Sequence, residues 1–492
     1  MKKLTSALLL ASMLLSMLVS CGSSGDTSAE TTAQNSGETT AVQQSENAED
    51  SEISDSLPDL DFKGETIKVL YRNVHNLPDY EMTAEQTGDI IDDAVYKRNL
   101  EVAERLNVKF DFVGMGDAAA AVFPTSVLAT VTAGEDEFDF FVWGQTQSLK
   151  NILNEVLMDM SDAIYFDFDK PWWNVPYMDE MRIGNDNLFF LSGDLVLTVI
   201  SRMSTVFVNK TRYEELHGDM NKLYSTVLDG NFTHEKFRQL TENAYSDVNG
   251  NGTADLEDRY GVMATTVSET DHFAYTAGLT ITKRDKDGYP EFCLMSERNS
   301  DILDTIKSLY YNNPGFFIEP TNDIIDGTAE KRFASGQMIF LPLWFAATER
   351  LRDMEGDYGL VPFPKMDDAQ DNYRSLVQNT ASVISVPITV GNKDMVSAVL
   401  EALSSVTHRD VLPAYYEVGL KTKYSRDNAS SQMVDLIYSV ASTDFGYAYS
   451  SSLSSIGTIA RTVVGTNKDF ASTYASKEAT AIAALDKLNA LY

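Results

Sequence analysis

The stretch Thr66-Ile67-Lys68-Val69-Leu70-Tyr71 opens the part of the chain that decides the fold, and its apolar composition predicts a strand. A helix is predicted over residues 94–106, where apolar residues recur at roughly helical spacing. Two further strands are predicted at 107–113 and 138–143. Because strands separated by helices indicate βαβ units with parallel sheets, the sequence predicts an α/β protein.

The pattern continues toward the C-terminus with predicted strands at 203–208, 336–341 and 358–363, and the last hundred residues are predicted to be mainly helical. The chain from Leu57 onward is long enough for two domains. It contains no internal repeat.

The N-terminus predicts secretion. Lys2 and Lys3 precede an apolar stretch, residues 4–19, that is too short for a comfortable membrane span and has the layout of a signal peptide. It ends in Leu18-Val19-Ser20-Cys21, which resembles the lipobox of bacterial lipoproteins. We therefore expect a signal peptide over residues 1–20 and a lipidated Cys21 as the mature N-terminus. The alternative is an ordinary signal peptide with a chance cysteine at the cleavage point.

Residues 22–56 hold eight acidic residues and neither an aromatic residue nor a lysine or arginine. Such a stretch cannot bury enough apolar surface to offset its ordering entropy, so residues 21–56 are predicted to be a disordered acidic tether. The other cysteine, Cys293, then has no partner for a disulfide and is expected to be a small core residue.

The chain has 73 acidic against 39 basic residues, a formal net charge of −34. Nucleic acid and anionic membrane surfaces are therefore excluded as expected partners. No later segment approaches membrane-spanning length without charges, so the lipid is the only expected anchor. These features place the protein on the extracellular face of the cell membrane.

Together these elements resemble the extracellular solute-binding proteins of ABC importers, of the maltose-binding-protein type, from about Asp61 onward. The resemblance lies in the order and spacing of short motifs, in two of which Phe232 and Met338 replace the family's Trp and Ala. The motifs are Phe138-Asp139-Phe140-Phe141-Val142-Trp143, Phe207-Val208-Asn209-Lys210, Gly230-Asn231-Phe232-Thr233, Phe333-Ala334-Ser335-Gly336-Gln337-Met338, Leu343-Trp344 and two segments at 413–421 and 423–427.

The resemblance implies a two-lobed, type II periplasmic-binding-protein-like fold, with a hinge and a ligand crevice between the lobes. Lobe 1 would take residues 57–195 and about 378–410, and lobe 2 would take 196–377 and about 411–492. It also implies a monomer that captures a small solute, a sugar or oligosaccharide, by hinge closure and delivers it to ABC permease subunits.

Aromatic rings stack on the apolar face of a sugar, while carboxylates and amides bind its hydroxyl groups. Trp143 and Trp344 follow predicted strands, where open α/β sheets bind ligands. Gln145 and Asp194 are predicted to bind the hydroxyl rim. Trp172 and Trp173 lie in a Pro-marked loop, and both core packing and ligand contact stay open for them. The predicted ligand-binding residues are therefore Trp143, Gln145, Trp172, Trp173, Asp194 and Trp344.

Residues 247–258 (DVNGNGTADLED) match the spacing of an EF-hand-type calcium loop. Oxygen donors stand at positions 1, 3, 5, 9 and 12, a backbone carbonyl serves at position 7, and Gly252 stands at position 6. The expected ligands of this structural Ca²⁺ are Asp247, Asn249, Asn251, Thr253, Asp255 and Asp258. Asp258 replaces the usual glutamate with a shorter carboxylate, and a metal-free Asn/Gly/Asp turn is the alternative.

Enzymatic signatures are absent from the sequence. Its five histidines form no zinc pattern, and it has no G-x-S-x-G elbow or phosphate-binding glycine loop. A non-enzymatic receptor is therefore expected. A secreted carbohydrate-active enzyme and a calcium-dependent surface adhesin remain as alternatives, because the many acidic residues allow accidental carboxylate pairs.

Overall fold

The computed structural model describes residues 54–73, 81–116, 122–320, 327–416 and 428–492, all within one compact unit, Glu49–Tyr492. Outside the described residues lie the predicted signal peptide, Cys21 and nearly all of the predicted tether. Residues 417–427 also lie outside them, and these include the end of the motif segment at 413–421 and all of the segment at 423–427. Within the described ranges, no helix has the length and apolarity needed to cross a membrane.

The strands are named in chain order. They are β1 Glu65–Arg72, β2 Val108–Met115, β3 Phe140–Gly144, β4 Ser204–Asn209, β5 Tyr260–Ala264, β6 Thr282–Arg284, β7 Pro290–Phe292, β8 Phe316–Ile318, β9 Met338–Trp344, β10 Tyr358–Val361, β11 Ser375–Leu376, β12 Ser382–Ser385 and β13 Ala441–Ser442.

The helices are named in the same way. They are α1 Ile90–Leu106, α2 Phe123–Thr132, α3 Gln145–Ser148, α4 Val175–Met181, α5 Leu197–Ser201, α6 Lys210–His217, α7 Asn221–Leu228, α8 His234–Thr241, α9 Ser268–Thr276, α10 Glu297–Tyr311, α11 Thr328–Ala334, α12 Ala347–Arg350, α13 Lys393–Val406, α14 Leu412–Tyr416, α15 Asn428–Ser439, α16 Phe445–Ala448, α17 Ile459–Gly465 and α18 Phe470–Asn489. A π-helical turn, Thr407–Val411, joins α13 to α14, and 3₁₀ turns lie at Leu149–Asn154 and Ile456–Thr458.

The first sheet has the order β12-β3-β1-β2 and forms the centre of lobe 1. Strand β1 pairs in parallel with both β2 and β3, as the strand-helix-strand pattern predicts. The crossover helix α1 begins where the Asp89 side chain accepts the first amides and ends at Asn107, which adopts a left-handed conformation (φ 49°). Strand β12 returns from a distant part of the sequence and pairs antiparallel with β3.

The second sheet has the order β10-β4-β9-β5-β8 and forms the centre of lobe 2. The predicted strands at 203–208, 336–341 and 358–363 correspond to β4, β9 and β10, with shifted ends. Strand β9 begins two residues late because Gly336 forms a left-handed turn (φ 79°), and it continues to Trp344. One expectation is wrong: Cys293 is partly exposed, because it follows the short edge strand β7, and its thiol lies 3.8 Å from the carbonyl oxygen of Thr280.

Two crossings between the lobes run side by side and form the described part of the hinge. The chain enters lobe 2 at Arg202 and Met203 and returns through residues 377–381. Met203 forms an antiparallel bridge with Val377, and the amide of Gln378 donates to the carbonyl oxygen of Arg202 at 3.0 Å. These backbone bonds tie the two crossings together, so side chains near them keep fixed positions relative to both sheets.

Candidate functional site

The carboxyl ends of strands from both sheets converge on the hinge. Strands β1 and β3 end at Arg72 and Gly144, and β9 ends at Trp344. Nη1 of Arg72 donates to the carbonyl oxygen of Thr380 at 3.2 Å, and the amide of Gln145 donates to that of Ala381 at 2.8 Å. Since ligands of open α/β sheets bind outside such strand ends, the hinge side of the crevice between the lobes is the candidate site.

Trp344 is the predicted aromatic residue that this arrangement leaves accessible. Its side chain is half-buried, whereas the other three tryptophans are at most 5% exposed. The guanidinium of Arg202 lies over one face of the indole, 5.0 Å from the ring centroid. This cation–π contact fixes the ring and leaves part of it exposed for stacking.

Trp143 and Gln145 lie in the interior of lobe 1. Trp143 is fully buried and its ring stacks in parallel on Phe123, with centroids 4.3 Å apart. Gln145 is also fully buried, and its side-chain oxygen accepts a hydrogen bond from the hydroxyl of Tyr177. All five residues of β3 are buried because this strand lies inside the sheet. The structure therefore does not bring these side chains to a surface beside Trp344, and their ligand contact stays a prediction.

Trp172 and Trp173 are also packed in lobe 1. Trp172 is fully buried, 6.2 Å from the ring of His408. The Trp173 indole contacts Phe168 edge-on, and its Nε1 donates to Oε2 of Glu401 at 2.9 Å. Burial raises the pKa of Glu401 to about 7. The contacts of Trp172 are those of core packing, whereas Trp173 also lines a cavity of 250 Å³ together with Asp194.

Asp194 bonds to side chains from both lobes. Its Oδ2 lies 2.6 Å from Nδ1 of His408, and its Oδ1 accepts from the hydroxyl of Tyr438 at 3.2 Å. Tyr438 belongs to α15, which packs on β10 and α7 of lobe 2. Asp194 and Tyr438 line a cavity of 250 Å³. Both carboxylate oxygens are thus engaged by protein groups, and the contact with a ligand hydroxyl stays a prediction.

Sequence reasoning missed a group of arginines at the hinge. Arg202 is 7% exposed, and its pKa is lowered to about 10, first by burial and then by the positive charges of Arg72 and Arg350. The electrostatic influence of Tyr415 and Glu349 raises the pKa of Arg202 and so opposes this decrease. Their positions in the chain could have indicated these arginines, because Arg72 ends the first strand and Arg202 precedes the strand that enters lobe 2.

The predicted calcium loop forms a closed turn. The carboxylate of Asp247 accepts the amides of Gly250 and Gly252 at 2.7 and 2.9 Å, and the side-chain oxygen of Asn251 accepts the amide of Thr253 at 2.7 Å. The side-chain nitrogens of Asn249 and Asn251 donate to Asp255 at 3.1 and 2.7 Å. Asp258 is fully buried and accepts the amides of Val248 and Asp255.

This all-oxygen donor set suits Ca²⁺, provided that Asn249 and Asn251 turn their amide oxygens inward. Within the described ranges, no group of three or more His, Cys, Asp or Glu side chains is placed to hold a metal. Calcium binding at this loop therefore stays a prediction.

No protein-family model matches the chain, and no curated protein matches its sequence. Solved structures share its fold. The sugar-binding protein MalE from Xanthomonas citri is 14% identical over 86% of this chain and 97% of its own, with a TM-score of 0.57. The galacto-N-biose/lacto-N-biose I-binding protein of the Bifidobacterium longum ABC transporter, solved with lacto-N-biose, is 12% identical over 87% and 98%, with a TM-score of 0.57.

An ABC substrate-binding protein from Listeria monocytogenes in complex with cycloalternan is 12% identical over 87% of this chain and 99% of its own, with a TM-score of 0.51. At these identities the likeness shows the fold. The chain has the two-lobed α/β fold of the sugar-binding ABC solute-binding proteins, so the predicted fold class is confirmed. These neighbours are solute-binding proteins and not enzymes.

Proposed function

We propose that this chain is an extracellular solute-binding lipoprotein that captures a carbohydrate between its lobes and delivers it to the permease of an ABC importer. The observation that carries the proposal is the convergence of strand ends from both sheets on a hinge that holds a partly buried tryptophan, Trp344. The sugar ligands of proteins with the same fold support it.

The mechanism needs no covalent chemistry. A ligand that contacts Arg72 on lobe 1 and Trp344 on lobe 2 binds the closed arrangement more tightly than the open one, so it shifts the population toward closure. The paired crossings at Met203 and Val377 form a short joint about which the lobes can turn. Closure then presents both lobes to the permease in a fixed relative orientation.

Binding of a panel of oligosaccharides to the purified chain, followed by calorimetry and thermal unfolding, tests the proposal. We expect at least one sugar to raise the melting temperature, to reduce the radius of gyration in X-ray scattering, and to be recovered intact by chromatography. A cleaved sugar would identify the carbohydrate-active enzyme instead. Binding to polymer or cells without closure would identify the adhesin, and a panel without any effect would contradict the receptor.

Trp344→Ala tests the site itself. Loss of a stacking ring costs about 1–3 kcal/mol of binding free energy, so we expect the Kd for the bound sugar to rise by roughly 5- to 150-fold. Tyr96→Ala is the matched control, because Tyr96 is an exposed aromatic residue on α1 and not one of the predicted ligand-binding residues. Equal affinity of Trp344→Ala and the native chain would exclude Trp344 from the site.

The membrane anchor is the second part of the proposal. We infer that Cys21 carries the lipid and that the acidic tether separates the folded lobes, as a monomer, from the membrane surface. Metabolic labelling with an alkyne fatty acid should mark the native chain and not Cys21→Ala, and the variant should appear in the culture medium. Equal membrane retention of both chains would contradict lipidation at this cysteine.

A structural Ca²⁺ in the loop at 247–258 is the third part. The ion would neutralise the carboxylates of Asp247, Asp255 and Asp258 and fix the loop before β5. Titration of the metal-free chain with CaCl₂ should raise its melting temperature, and Asp247→Asn together with Asp255→Asn should abolish that rise. Asp229→Asn, outside the loop, is the control. The same melting temperature in EDTA and in millimolar calcium would contradict the site.

A further inference from the structure

The arginines at the hinge come from three different parts of the chain. Arg202 belongs to the first crossing, Arg72 ends β1 of lobe 1, and Arg350 ends α12 of lobe 2. Arg72 bonds to Thr380 and Arg202 to Gln378, two residues away on the second crossing, and the charges of Arg72 and Arg350 both act on Arg202. A chain in which acids outnumber bases 73 to 39 thus gathers positive charge where its two lobes meet.

Arg202 is held in place by its backbone. Its carbonyl oxygen accepts the amide of Gln378 at 3.0 Å, and that of the preceding Ser201 accepts the amide of Ala346 at 2.8 Å. Arg202 is 7% exposed, and its guanidinium carbon lies 5.0 Å from the centroid of the Trp344 ring. The main chain is thus fixed and the ring restrains the guanidinium, so less conformational freedom remains to be lost when it binds a planar partner.

Arg72 is placed by a different contact. Its guanidinium donates to the carbonyl oxygen of Thr380 and lies against Gly144, where a Cβ would come within 3.0 Å of Nη1 and 3.6 Å of that carbonyl. A side chain at position 144 would therefore displace the guanidinium. Glycine at the end of β3 leaves room for Arg72 beside the second crossing.

Acidic groups balance part of the charge of this cluster. Glu330 pairs with Arg350 at 3.0 Å, and the negative charge of Glu349 raises the pKa of Arg202. Burying positive charges close together is costly in free energy, and a negatively charged ligand reduces that cost. The planar guanidinium matches a carboxylate through two parallel hydrogen bonds, which makes a carboxylate the anion that the geometry suits best.

We propose that the ligand is an acidic saccharide, whose uronate carboxylate is bound by Arg202 and Arg72 while a sugar ring stacks on the exposed part of Trp344. This inference rests on the proposed function and narrows it from carbohydrates in general to uronic acid sugars. The contact between the Arg202 guanidinium and the Trp344 ring places the carboxylate-binding group beside the stacking surface.

Calorimetry with pairs of oligosaccharides tests the proposal. Each pair consists of a uronate disaccharide or trisaccharide and, as a separate ligand, its neutral counterpart of the same linkage. The pairs cover galacturonate, glucuronate and mannuronate. We expect the acidic member of at least one pair to bind ten times or more tightly than the neutral member. This preference should weaken as NaCl is raised from 50 to 500 mM, because screening acts on the charged contact.

Arg202→Met should lower the ratio of the affinities for the acidic and the neutral sugar by about tenfold or more. Arg202→Lys should keep part of this preference, because lysine retains the positive charge but lacks the planar guanidinium. Arg298→Met is the control, since Arg298 is an exposed partner of Asp367 and should leave the preference unchanged. Arg72→Met, on lobe 1, provides an independent variant if Arg202→Met does not fold.

The outcomes separate this inference from the proposed function. A neutral sugar that binds as tightly as its acidic counterpart would overturn the acidic ligand and leave the receptor intact. An acidic preference that survives in both Arg202→Met and Arg72→Met would overturn the assignment to these arginines. If no sugar of either kind binds, the carbohydrate receptor itself is contradicted.

Discussion

Glu401 provides a prediction that depends only on the fold of lobe 1. It lies on α13 and is 1% exposed. Its Oε2 accepts hydrogen bonds from Nε1 of Trp173 at 2.9 Å and from the amide of Asp167 at 3.4 Å. Burial raises the pKa of Glu401 to about 7 despite these two hydrogen bonds, and the negative charges of Asp55 and Asp167 add to the increase.

The sign of the effect follows from the raised pKa. The folded state binds the Glu401 proton more tightly than the unfolded state, whose pKa is about 4.5. The free energy of unfolding should therefore rise as the pH falls through 7, with the gain complete below 4.5. At about 1.4 kcal/mol per pKa unit, this one group should add roughly 2–3 kcal/mol between pH 8 and pH 5.

Glu401→Gln removes the ionisation and keeps an oxygen that can accept from Trp173. We expect the variant to exceed the native chain in stability by about 3 kcal/mol at pH 8, and by less than about 1 kcal/mol at pH 5. Urea unfolding followed by tryptophan fluorescence at several pH values measures both curves. Glu235→Gln is the control, because hydrogen bonds from Arg238 and Gln239 lower the pKa of Glu235 to about 2, so it stays ionised across this range. If the free energy of unfolding changed with pH in the same way for Glu401→Gln and the native chain, the raised pKa of Glu401 would be refuted.

Two further predictions concern the boundary between the lobes. Gly193→Ala should destabilise the chain by several kcal/mol or prevent folding, because its Cβ would lie 2.0 Å from the carbonyl oxygen of Trp172. Gly116→Ala, where the nearest atom is 3.6 Å away, should be tolerated in the same thermal unfolding assay. Tyr438→Phe removes the hydroxyl bonded to Asp194, so we expect a loss of about 1 kcal/mol and a larger radius of gyration without ligand. An unchanged radius would show that this bond does not hold the lobes together.

The first sheet could be predicted from sequence because its pattern is local. Ile67 and Val69 alternate with polar neighbours, and a single crossover helix separates β1 from β2. The return of β12 to the same sheet could not be derived from local patterning, since its partner β3 lies more than two hundred residues earlier. It was expected only through resemblance to a family with this topology.

The site was harder to predict because strand position does not determine exposure. Trp143 and Trp344 both lie at the end of a predicted or observed strand, yet Trp143 packs on Phe123 inside lobe 1 and Trp344 remains half-buried beside the hinge. The difference depends on a helix, α2, that covers Trp143. Arg202 was missed because no motif marks it, and its contact with Trp344 spans 142 positions of the sequence.

The contacts between the lobes also bear on how much a ligand must contribute to closure. Arg284, on the β6–β7 hairpin of lobe 2, donates to the carbonyl oxygens of Asp179 and Glu180 at 3.0 and 2.7 Å, near the C-terminal end of α4 in lobe 1. A guanidinium at the carbonyl oxygens of the last turn of a helix is a favourable contact. It stabilises the observed arrangement before any sugar arrives. A ligand that contacts Arg72 on one lobe and Trp344 on the other would add its own binding free energy to this contact between the lobes.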